Sequence, residues 1–175
     1  MNAMEQSRTT PAPRLTLAAI FNDGLYAGVI GAGIVALWFL VIDTIAGHPL
    51  HTPTLLGTLL IKGVDALATA TLDPAMVAAY TAVHVVLFVL VGLLGSYLVT
   101  LFDRYPAAGI ALVFLFAFFE VGFFIASAAL GGVLMGHLAP WAVGIGNLLA
   151  AAGMAVYFWN RHPHLKESLG HIWDE

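Results

Sequence analysis

Four polar residues stand where an apolar chain least tolerates them: Asp43, His84, Glu120 and Asn147. Each falls in a different long apolar stretch. A polar group at membrane depth costs a few kcal/mol to insert and therefore tends to face a bundle interior. His84 with Glu120 is the candidate core of a site. The two could form a hydrogen-bonded pair, a proton-relay element, or two ligands of a first-row transition metal. Tyr80, one helical turn from His84, could extend that network. Asp43 and Asn147 are weaker candidate ligands. So are His48, His51 and His137, which lie in loops above the same half of the bundle and could line its mouth or hold a separate surface metal.

Each reading has a plainer rival. A membrane-depth histidine and glutamate can simply hydrogen-bond across helices and fix their register, for about 1 kcal/mol or less. Asp43 reads as a solvated helix end and Asn147 as helix glue. A bis-histidine haem would need a second histidine at membrane depth, which the stretches lack. A carboxylate-bridged di-iron site would need Glu-x-x-His pairs, and no histidine follows Glu120 at that spacing. Nucleotide-binding, zinc-protease and serine-hydrolase patterns are also absent.

The elements that must position these residues are membrane spans. Crossing the hydrocarbon layer takes about 20 mainly apolar residues. Four stretches qualify, at residues 25–46 (beginning as early as Leu15), 76–102, 107–130 and 140–159. Pro74, Pro106 and Pro140 stand at first-turn positions, where no amide partner is lost. The first apolar run, about 22 residues, exceeds the 7–15 of a signal-peptide core and reads as a span. The division is then a polar tail at 1–14, a membrane domain at 15–160 and a second tail at 161–175.

Basic residues set the expected orientation. Arg8, Arg14, Arg104, Arg161 and Lys166 fall on one side, and only Lys62 on the other. Basic loops stay in the cytoplasm, so both termini are expected there, in an inner or plasma membrane. His162, His164 and His171 read as part of a solvated tail. Asn22 and Asp23 read as headgroup-level or capping residues.

Between the first two spans lies a long outer segment. Thr52 and Pro53 read as an N-cap and first helical position. Leu55, Leu56, Leu59, Leu60, Val64 and Leu67 then recur at helical spacing, which predicts a short amphipathic helix over about 53–69. Small residues recur in the spans, with Gly24 and Gly28 spaced for close helix approach. That stripe serves packing within the chain or docking of another subunit. The phenylalanine-rich third span, with Phe114, Phe116, Phe118, Phe119, Phe123 and Phe124, offers a second docking face.

Composition closes off other classes. Of 175 residues, 61% are hydrophobic, 9% are charged and none is cysteine. Soluble domains carry about 25% charged residues. Disorder and nucleic-acid binding need more charge than this. Disulfide scaffolds and thiolate chemistry need cysteine. The expected fold is an all-α integral membrane protein, an antiparallel four-span transmembrane helical bundle with one amphipathic outer helix. Two functions follow. One is a non-catalytic accessory or scaffold subunit that packs against a larger membrane complex. The other is a metal- or cofactor-binding, redox-linked protein centred on His84 and Glu120.

Overall fold

A computed structural model describes residues 16–102 and 139–162, together with helical residues Phe114, Ala117, Phe118, Val121, Gly122 and Ile125 between them. Three helices are long and apolar enough to cross a membrane: α1 (Leu17–Ile45), α3 (Pro74–Phe102, its span ending at Leu101) and α4 (Pro140–Arg161). Between α1 and α3 lie α2 (His51–Lys62) and a 3-10 helix at Val64–Thr69. Most of the third apolar stretch, including Glu120, lies outside the described residues, as do His137, Arg104, the first polar tail and residues 163–175 of the second.

Local chemistry accounts for the boundaries. The Thr16 hydroxyl accepts from the Ala19 amide at 3.3 Å, so α1 begins at Leu17 rather than at residue 25. At its other end Gly47 takes a positive φ of 81°. The Gly47 amide donates to the Thr44 carbonyl at 3.0 Å, and the His48 amide to the Asp43 carbonyl at 2.9 Å. This paired closure is a Schellman stop, and it turns the chain at once toward α2.

The outer segment departs from the expected single helix over 53–69. Gly63, at φ 85°, separates α2 from the 3-10 turn. The leucine stripe is inward only in part. Leu55 and Leu67 are buried, as are Thr52, Thr54 and Thr58, and Leu56 and Leu59 pack against Val143, whereas Leu60 and Val64 are exposed. Helix α2 rests on α3, and Gly57, lying against the Met76 backbone, lets it come close.

Asp73 anchors the beginning of α3. Its carboxylate accepts from the Ala75 amide at 2.9 Å and pairs with Lys62 at 3.4 Å. The Ala75 amide, then Lys62, hold this acid below its ordinary value of 3.8. A depressed acid adds stability above its unfolded-state value, and the contribution is lost as pH falls through the lower folded-state value. The first turn of α3 is therefore expected to loosen below about pH 4. The Ala75 amide shift, followed by NMR, should move over that range and stay fixed in Asp73→Asn.

Helix α1 is central. It packs against both α3 and α4, and Gly31 lies against Phe88 of α3 and Met154 of α4 together. Contacts run Gly24 to Leu93, Gly28 to Val89 and Ala32 to His84, so α1 and α3 are antiparallel. Asp23 meets Arg161 and Trp38 meets Ala142, so α1 and α4 are antiparallel too. Gly24 and Gly28 face Gly92 with backbone against backbone. The stripe that could have docked another subunit is therefore filled by α3 of the same chain. Ala27, Val99, Met154 and Phe158 form the main apolar core around it.

Candidate functional site

The buried ionisable residues of the described helices, Asp23, Asp43 and His84, form three separate ties at three levels, while the buried hydroxyls of Thr54 and Ser96 make no hydrogen bond among the described residues. The middle one holds His84. Its Nε2 lies 3.3 Å from the Ala32 carbonyl of α1, and its Nδ1 lies 3.3 Å from the Tyr80 hydroxyl. A carbonyl only accepts, so Nε2 carries the proton and donates. In the neutral ring Nδ1 then accepts from Tyr80. Phe88 packs on the other side of the ring, with centroids 4.8 Å apart. Nε2 carries the proton and the Nδ1 lone pair is taken by Tyr80, so neither nitrogen is open to a metal.

Asp43 forms the second tie. It is 4% exposed, although a solvated helix end was expected. Its two carboxylate oxygens accept from the Thr52 amide at 2.7 Å and the Thr52 hydroxyl at 2.8 Å. Leu50, at the N-cap position of α2, supplies no side-chain bond. Asp43 thus does the capping from the neighbouring helix, and its negative charge suits a helix N-terminus. Thr52 is a donor to Asp43 and not the cap that the sequence suggests. With this anchor α2 starts at His51, and Pro53 falls inside the first turn.

The third tie was not foreseen. Asp23, about two turns into α1, is 6% exposed. Its Oδ1 accepts from the Tyr157 hydroxyl and from Nε and Nη2 of Arg161, all at 3.2 Å. Its Oδ2 lies 3.3 Å from Nε2 of His162. The signal was available in the topology. Antiparallel spans bring the start of the first against the end of the last, where Tyr157, Arg161 and His162 stand. Reading Asp23 as a headgroup-level or capping residue at the start of the first span hid it. His162, read as part of a solvated tail, is instead largely covered by this contact.

These levels are well separated along α1. Ala32 and Asp43 are about 16 Å apart at 1.5 Å per residue, and Asp23 and Ala32 about 13 Å. His84 and Asp43 therefore do not meet. Asn147 is half-buried on α4 and makes no side-chain hydrogen bond to another described residue. Near its level, the Trp38 indole donates to the Ala142 carbonyl at 2.8 Å and packs against Gly146. His48 and His51 are exposed, with ring centroids 6.3 Å apart. Among the described residues, no three histidine or acidic groups converge as metal ligands. Glu120 and His137 lie outside those residues.

Comparison with known proteins finds no matching family model, no matching curated protein and no matching solved structure.

Proposed function

We propose that this chain is a non-catalytic subunit or scaffold of a larger membrane complex, built as a four-span bundle with both termini cytoplasmic. One observation carries the reading. Asp23, Asp43 and His84, the ionisable groups buried on the described long helices, are each consumed in holding one helix to another. No reactive set is left among them. A protein whose buried ionisable groups, among the described residues, all serve its own assembly acts through its surfaces.

That surface is apolar on every described span. Phe21, Val29 and Leu37 on α1, Val86 and Leu90 on α3, and Leu148 and Val156 on α4 are exposed. Phe114, Val121 and Ile125 of the third stretch are exposed as well. The five basic residues at the terminal ends of the stretches, against Lys62 on the other side, support the cytoplasmic assignment of those ends. They suit an inner or plasma membrane.

The metal-binding alternative is tested at His84. In His84→Ala the α1–α3 tie is lost, and stability should fall by about 1 kcal/mol, the scale of a membrane hydrogen bond with some packing. Metal content and absorption spectrum of the purified protein should be the same in wild type and variant. A stoichiometric metal or chromophore present in wild type and missing from the variant would replace this reading with a cofactor site.

A further inference from the structure

The two oxygens of Asp23 are not equally satisfied. Oδ1 takes three donors, one from Tyr157 and two from Arg161. Oδ2 faces Nε2 of His162 at 3.3 Å, without the alignment of a hydrogen bond, and that nitrogen is buried with no other partner. The imidazole is 12% exposed, so solvent protons still reach it.

We propose that His162 is a proton-operated latch between α1 and α4. A neutral ring meets Oδ2 as a weak, misaligned contact. A ring protonated on both nitrogens meets it as an ion pair, and a cation at this place is also favoured by the C-terminal end of α4. His162 terminates that helix, its amide donating to the Phe158 carbonyl at 2.9 Å. Proton uptake therefore tightens the ends of α1 and α4 together, and proton loss leaves Asp23 to Arg161 and Tyr157 alone.

The groups around the ring set the balance. From α1 comes the Asp23 carboxylate, which favours the cation. From α4 come Arg161, which opposes it but is already spent on Oδ1, the neutral Tyr157, and the Phe158 ring at a centroid distance of 6.3 Å. Tyr26 of α1 packs on Tyr157 and adds no charge. The described residues of α3 bring no charged group to this end.

The sign follows directly. A contact strengthened by the proton contributes stability at acidic pH and loses it as the pH rises. The test is thermal unfolding of the full chain in detergent micelles at about pH 5.5 and about pH 8, for wild type, His162→Gln and Asp23→Asn. Seven histidines are present, and the six others give the same background in all three proteins. Wild type should show a midpoint difference in favour of acidic pH larger by about 2–4 °C than that of either variant. An equal pH response in wild type and His162→Gln overturns the latch. A full wild-type response in Asp23→Asn overturns its assigned partner. Should Asp23→Asn fail to fold, the His162→Gln comparison decides alone.

Discussion

Gly28→Ala is expected to force α1 and α3 apart, although it adds a single methyl group. A Cβ at this position would sit 2.5 Å from the Phe88 carbonyl oxygen and from Val89 Cα. At Gly24 it would lie 2.6 Å from Leu93 Cα, and at Gly92 it would strike the backbone of Gly24 and Gly28. Every obstructing atom nearest Gly28 is backbone, so no rotamer change relieves the clash. Overpacking that side chains can absorb costs about 1–3 kcal/mol. Here whole helices must move, and Gly28→Ala should reach the top of that range, with Gly28→Leu beyond it. Between lipid-bathed helices there is little hydrophobic drive to compensate, because close van der Waals packing is itself the association energy.

Gly33 provides the internal control. Among the described residues nothing lies within 4 Å of a Cβ added there, so Gly33→Ala should cost nothing and gain slightly from better helix propensity. Unfolding by increasing SDS fraction, followed by tryptophan fluorescence, would rank the variants. Gly28→Ala and Gly92→Ala should each be severe and together less than additive, since both added methyls intrude on one contact. A Gly28→Ala protein as stable as Gly33→Ala would dismiss the packing.

The second large effect is expected at Asp43. Asp43→Ala removes two charge-assisted hydrogen bonds and the only cap on α2, and should cost about 2–4 kcal/mol. The damage should be local. Helix α2 should lose its anchor while the α1–α3 and α1–α4 contacts persist. Hydrogen exchange would show this as lost protection over residues 52–58 with little change in α3 or α4. Asn at this position can still accept one bond from Thr52, so Asp43→Asn should retain part of the protection. Uniform loss across the whole chain would mean that Asp43 supports the bundle and not α2 alone.

Much of the architecture could be read from the chain because hydropathy over some 20 residues is a strong, local signal. Pro74 and Pro140 mark helix starts in the sequence and open α3 and α4 in the structure. Contacts that depend on helix rotation were harder to read. The Gly24–Gly28 spacing announced close packing, but only the structure assigns it to Gly92 of the same chain. Asp43 and Thr52 are nine residues apart across a turn whose geometry depends on Gly47 and Leu50 both taking positive φ. Sequence position cannot convey that. The α2 stripe was legible in part for a related reason. Leu55 and Leu67 are buried and Leu56 and Leu59 pack on Val143, but Gly63 breaks the helix, and Leu60 and Val64 are left outside. Asp23 was undervalued because hydropathy left the start of the first span anywhere from Leu15 to residue 25, and a single threonine cap sets it at Leu17.

The central claim is that buried polarity here is spent on assembly and that the protein acts by packing against others. Native mass spectrometry of protein gently solubilised from its natural membrane reads both halves at once. The expected result is a complex heavier than the 18.5 kDa chain, containing other polypeptides in fixed ratio, with this subunit free of bound metal after release. A stable lone monomer carrying a stoichiometric metal or cofactor would contradict the claim on both counts.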